Sequence, residues 1–177
     1  MIENRSYESD LEIRAGGDGR TIVGIVVPYN YEQKITRSLT EVFLPGAFSA
    51  VTRAAHRVKL LVGHDANQLP QGRATLLREE AKGLYGEFRV SKTQRGDELL
   101  ELVADGAVDQ FSVGFQPLQD RKRADGVIER VRAHLAEVSL VTFGAYGMAA
   151  SVAGIREASS TPNLDAAREL LEGLKNA

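Results

Sequence analysis

Apolar and β-branched residues along this chain fall in short stretches broken by polar and glycine-bearing turns, a pattern that predicts a sheet-dominated fold. Thr21-Ile22-Val23-Gly24-Ile25-Val26-Val27 is β-branched and ends at Pro28, which has no amide hydrogen to give to a ladder, so it is read as a strand stopped by proline. Pro45-Gly46-Ala47-Phe48 is expected to open a short helix that sets Phe48, Val51 and Ala55 about a turn apart. Val58-Lys59-Leu60-Leu61-Val62-Gly63-His64 returns to strand, and the turn-forming Asp65-Ala66-Asn67-Gln68-Leu69-Pro70 leaves His64 at its end. Two β-rich stretches between Gly72 and Val90 flank Glu80-Ala81-Lys82-Gly83, a hairpin in which Gly83 is expected to supply a positive φ. Asp97 to Asp105 carries Leu99, Leu100, Leu102 and Val103 among acids and meets Gly106, which reads as an amphipathic helix with its stop. A second hairpin pairs Asp109–Leu118 with Val127–Thr142 across Asp120-Arg121-Lys122-Arg123-Ala124-Asp125-Gly126, where Asp-Gly is the turn signal. Strands outnumber helices, and the expected class is α+β, mainly β.

The pattern changes character after Ile155. Glu157-Ala158-Ser159-Ser160-Thr161-Pro162-Asn163 is small and polar, as a linker is, and beyond it Leu164, Ala167, Leu170, Leu171 and Leu174 recur at helical spacing. The expected organisation is one domain over residues 1–156, followed by a linker and amphipathic helix over 157–177 that could dock on the domain or on a partner.

Composition narrows the chemistry. In 177 residues, 22 Lys and Arg stand against 24 Asp and Glu, and a net charge of -2 gathers neither nucleic acid nor an anionic membrane. No window reaches the length of a membrane span, and Met1-Ile2-Glu3-Asn4-Arg5-Ser6 lacks the order of a secretory signal, so the protein is expected to stay where it is made. The absence of cysteine excludes a disulfide, a thiolate zinc site and a cysteine nucleophile, so any nucleophile must be an oxygen or an amine.

Three residues then attract attention. In Gln110-Phe111-Ser112-Val113-Gly114-Phe115 the period of two sends Phe111, Val113 and Phe115 to one face and Ser112 and Gly114 to the other. Gly114 removes a side chain beside Ser112, which would leave room for a substrate backbone; an ordinary strand serine has the same signature. A serine hydroxyl needs a base that works near neutral pH, and histidine is the usual one. The chain offers His56, His64 and His134; His56 follows a helical stretch and is read as solvated. His64 ends an apolar strand, where it is either a base or a simple cap. Glu137 shares a face with Ser139, opposite Val138 and Leu140, and either orients His64 as the acid of a triad or bonds an arginine such as Arg89 or Arg132.

Four blocks in order resemble the prohead serine proteases of tailed phages, whose fold is related to that of the herpesvirus assembly proteases. They are Glu41-Val42-Phe43-Leu44-Pro45-Gly46-Ala47-Phe48, Leu60-Leu61-Val62-Gly63-His64-Asp65, Phe111-Ser112-Val113-Gly114-Phe115 and Leu135-Ala136-Glu137-Val138-Ser139-Leu140-Val141, within residues 21–152. The resemblance implies an antiparallel β-barrel of the herpesvirus-protease-like type with a few surrounding helices. It places the nucleophile on Ser112 and the base on His64. The third member falls on Glu137, with His134 as competitor. It further implies an endopeptidase inside an assembling procapsid in the host cytoplasm, which cuts scaffold or the scaffolding segment of the major capsid protein and often itself. No cofactor or metal is implied, homo-oligomerisation stays open, and neither nucleic acid nor membrane is expected as a partner.

Readings from other classes are a noncatalytic assembly module on the same fold, a metal hydrolase built on His64, Asp65, His134 and Glu137, and nucleic-acid binding through Arg121-Lys122-Arg123. Intact His64 and Ser112 weigh against the first. The spacing fits no standard zinc motif, and the cations of the third are flanked by Asp120 and Asp125.

Overall fold

The structure, a computed structural model, describes residues 1–8 and 11–142. The domain end expected near residue 156 and the linker and helix of 157–177 lie outside the described residues.

The expected strands form and others join them. β1 (Glu3–Glu8), β2 (Glu12–Ile13), β3 (Thr21–Pro28), β4 (Gln33–Lys34), β5 (Thr40–Phe43), β6 (Lys59–Val62), β7 (Gly72–Glu79), β8 (Gly83–Val90), β9 (Gln110–Lys122) and β10 (Ile128–Val141) make one sheet. Two helices accompany it, α1 (Ser49–Thr52), followed by a 3-10 turn at Ala55–Arg57, and α2 (Gln94–Ala104). None of the described helices is long and apolar enough to cross a membrane.

The strand order is β1-β9-β10-β6-β7-β8-β3-β2, with β5 also on β10 and β4 on β5. β3 packs against β1 and β9, so the sheet curls into a half-barrel. This differs from the expected antiparallel barrel in two ways. The hydrogen-bonded path is open, ending at β1 and β2. In addition, β5 and β6 run parallel to β10, at Ile128–Arg130 and Glu137–Leu140 respectively. Together β5 and β6 act as one interrupted strand: the chain leaves the edge of β10 for α1 and the 3-10 turn, then returns further along the same edge in the same direction.

The core explains the alternation. Phe111, Val113 and Phe115 of β9 are buried with Phe43, Phe48, Phe88, Leu60 and Leu140, and Phe43 meets Phe48 and Phe115 at ring-centroid distances of 5.2 and 5.0 Å. β3 is apolar nearly throughout because both of its faces are covered, the usual cause of an unalternating strand.

Local corrections have local causes. The helix expected from Pro45 starts only at Ser49, since Gly46 takes φ 89° in a turn whose amide is held by Glu79 Oε2 at 3.0 Å. α2 begins at Gln94, three residues before the expected Asp97, because Thr93 caps it by accepting from the Gly96 amide at 3.1 Å. Gly83 has the expected positive φ, 159°, and a second reason for glycine is close approach: a Cβ would lie 2.2 Å from the carbonyl oxygen of Val27 on the paired strand. The β9–β10 hairpin extends to Lys122↔Ile128, leaving a shorter tip than the composition indicated.

Candidate active site

Ser112 lies near the start of β9, flanked in register by Ser6 of β1 and Ser139 of β10. Directly opposed residues share a face of a sheet, so three serines form a row on the face turned away from the aromatic core. Ser112 is nevertheless 0% exposed. Its hydroxyl accepts from Ser6 Oγ at 2.9 Å, lies 3.0 Å from the Arg5 carbonyl oxygen and lies 2.5 Å from His64 Nε2.

His64 follows the end of β6 in a turn that the sequence alone does not reveal. Gly63 and His64 both adopt left-handed backbone, with φ 61° and 60°. For histidine this conformation costs about 1–3 kcal/mol and persists only where neighbours enforce it. Here the Gly63 amide donates to Leu140 O at 3.0 Å, the His64 amide to Ser139 Oγ at 3.0 Å, and the Asp65 amide to Val62 O at 3.2 Å. These bonds reverse the chain and lay the imidazole over β9 and β10.

Glu137 reaches the same place through a β-bulge. Leu135 pairs with Phe115 but Glu137 with Gly114, so Ala136 is an extra residue on β10. Before the bulge Ala133 and Leu135 point into the core; after it Val138 and Leu140 do. Strict alternation from Leu135 would have buried Glu137, and the bulge turns it outward. Its Oε1 lies 2.6 Å from His64 Nδ1 and its Oε2 accepts from Ser139 Oγ at 2.7 Å. The carboxylate rests on Gly114, where a Cβ would come within 2.4 Å of Oε1. The gap read from the sequence as space for a substrate backbone is therefore filled by Glu137.

The structure thus brings Ser112, His64 and Glu137 together and leaves the other candidates elsewhere. His134 is exposed, in a surface groove with Val51 and Ala54, and His56 is exposed in the 3-10 turn. Arg89 is bonded to Asp18 at 2.5 and 2.6 Å and Arg132 is exposed, so neither serves as the partner of Glu137. Among the described residues no three histidines or acids converge as metal ligands. Ser6, Ser139 and the Arg5 carbonyl were missed: β1 lacks an alternating apolar signature, and Ser139 was read only as a neighbour of Glu137.

Donor and acceptor chemistry fixes the proton positions. An ionised Glu137 only accepts, so the proton between it and His64 belongs to Nδ1. In the neutral ring Nε2 is then bare and faces a hydroxyl 2.5 Å away, the arrangement in which an imidazole takes a serine proton.

Known proteins match this chain. Residues 9–166 match the caudovirus prohead serine protease family. The prohead protease of Enterobacteria phage HK97 is 28% identical over 182 residues, an alignment spanning 100% of this chain and 77% of that one. The capsid assembly protease of bacteriophage T4 has a similar fold, with a TM-score of 0.57 at 10% identity over 79% of this chain and 96% of the other. The chain belongs to the caudovirus prohead serine protease family.

Proposed function

We propose that this protein is the endopeptidase of an assembling phage procapsid in the host cytoplasm, with Ser112 as nucleophile, His64 as general base and acid, and Glu137 as the acid that orients the ring. The observation that carries the reading is the continuous line from Ser112 Oγ to His64 Nε2 and from Nδ1 to Glu137 Oε1, at 2.5 and 2.6 Å. Ser112 has one proton and two acceptors within reach, the Arg5 carbonyl and His64 Nε2. Productive attack uses the second. As Oγ bonds the peptide carbonyl carbon, the proton passes to Nε2 and the imidazolium is stabilised by Glu137. The same proton then goes to the leaving amine, and water, deprotonated by His64, releases the acyl group and regenerates Ser112.

The family supports substrates among the proteins of the prohead: the scaffolding segment of the major capsid protein, a separate scaffold, and the protease's own chain. Kinship of the barrel to the herpesvirus assembly proteases belongs to the same proposal, as does a homo-oligomeric state. A noncatalytic assembly module on this fold would have no use for a strained histidine aimed at a serine. The test is co-expression with the cognate capsid protein, the products being sized by mass spectrometry. Ser112→Ala is expected to lower cleavage by roughly 10^4-fold or more while leaving the melting temperature unchanged. Undiminished cleavage by that variant would refute the assignment.

A further inference from the structure

Ser139 is 0% exposed, like Ser112, but unlike Ser112 its hydroxyl bonds Glu137 and the His64 amide, and neighbouring Val138 and Leu140 already bury the apolar face of β10. Strand packing gives no reason for a hydroxyl at this position. Yet that one hydroxyl makes two bonds, donating to Glu137 Oε2 at 2.7 Å and accepting from the His64 amide at 3.0 Å.

The two bonds restrain two separate freedoms. A glutamate carboxylate turns about a broad, roughly two-fold terminal torsion, and anchoring Oε2 keeps Oε1 at its 2.6 Å contact with Nδ1. The other freedom is the backbone of His64, whose left-handed φ of 60° needs enforcement. Accepting from its amide ties the turn to β10, two residues beyond Glu137 on the same strand. Acid and base are therefore tied to a single buried atom.

We infer that Ser139 is a positioning residue of the site, acting on Ser112 only through Glu137 and His64. The inference rests on the triad proposed above. It separates Ser139 from Ser6, which touches the nucleophile directly at 2.9 Å.

A fluorophosphonate reagent tests it without knowledge of the natural substrate. Ser112 Oγ bonds phosphorus, fluoride leaves, and the serine proton passes to His64, so the labelling rate reports on the base. Rates are measured on the full chain for the wild type, Ser139→Ala, Glu137→Gln and the double variant. Ser139→Ala is expected to label about 10–100-fold more slowly, the range for losing a hydrogen bond to a charged group. In the Glu137→Gln background the same change is expected to matter less than about threefold, because residues acting as a unit are not additive. Ser139→Thr, which keeps the hydroxyl, is expected to recover most of the rate. Should Ser139→Ala melt below the assay temperature, Ser139→Cys, of similar size but a weak donor, gives the same comparison. Wild-type labelling in Ser139→Ala, or equal losses in both backgrounds, overturns the inference and leaves the triad standing. A wild type that does not label, or a Ser112→Ala variant that does, overturns the triad and the inference with it.

Discussion

Two polar clusters lie along the shared length of β9 and β10, and Arg5 belongs to both. Its guanidinium enters the first, where Glu41, 1% exposed, receives Arg5 Nε at 2.5 Å and Arg130 Nη2 at 2.6 Å, while Glu3 accepts from Arg5 Nη2 and Asp120 from Arg130 Nη1. Both guanidinium groups lie over the Phe115 ring, 5.4 and 5.7 Å from its centroid. Burial alone would lower the Arg5 pKa, but the bonds and charges of Glu41, and then of Glu3, hold it above its ordinary value. The carbonyl of Arg5 faces the second cluster, that of Ser112, His64 and Glu137. The first cluster has far more charge and no chemistry: arginine does not surrender its proton, and every acid there is bonded to a guanidinium. The second has one carboxyl group, the Ser112 hydroxyl and an imidazole, with the side chains of His64 and Glu137 20% and 15% exposed. What separates the proposed catalytic arrangement from the structural one here is a proton with two places to go, and charge density is no guide to it.

The contrast is broken most severely on the side of the proposed triad. Glu137→Gln keeps the shape but offers Nδ1 an amide that can present a donor where an acceptor is needed. Cleavage is expected to fall on the order of 10^3–10^4-fold, as when the acid of a serine triad is amidated, with little change in melting temperature. A drop of less than tenfold would mean that Glu137 does not orient the ring. On the structural side the sign of the comparison reverses. Glu41→Gln leaves two buried guanidinium groups without their shared carboxylate and is expected to cost about 3–5 kcal/mol of stability, measured by denaturant unfolding. The folded fraction should cleave within a few-fold of the wild-type rate. If activity falls with stability intact, the two clusters are coupled through the backbone of Arg5.

The sequence shows these two regions unequally. Ser112 was legible because Phe111, Val113 and Phe115 alternate without interruption, and such a stripe assigns faces before any fold is known. His64 was legible as a strand end but not as a left-handed turn, since Gly63-His64 has no signature apart from its contacts with β10. The face of Glu137 was read from Val138 and Leu140, whereas the bulge at Ala136 depends on a partner strand and leaves no mark in local periodicity. β1 and β5 went unread: Glu3–Glu8 is polar because both of its faces make polar contacts, Arg5 toward Glu41 and Phe115 and Ser6 toward Ser112, and Thr40–Phe43 is too short for a period to register. Glu41 stands within one of the four family-like blocks, but its buried role follows only from the pairing of β5 with β10. What stayed hidden was long-range pairing; what could be read was periodicity.

Gly114 gives the mildest and most discriminating change. A Cβ there would meet Glu137 Oε1 at 2.4 Å and Cδ and Cγ at 3.1 Å, all atoms of a flexible side chain and none of them backbone. The strand need not move, so Gly114→Ala is expected to alter stability by less than about 1 kcal/mol, as alanine also relieves the entropic cost of glycine in a strand. The carboxylate must swing away, lengthening its 2.6 Å contact with Nδ1. The expected result is a kcat about 10–100-fold lower with KM unchanged, smaller than for Glu137→Gln because the carboxylate remains nearby. A raised KM at constant kcat would instead mark Gly114 as clearance for the substrate backbone, since that pattern signals lost uniform binding and not a misplaced base. Steady-state kinetics on one conservative variant therefore decides whether the missing side chain beside Ser112 serves the enzyme's own acid or the peptide it cuts.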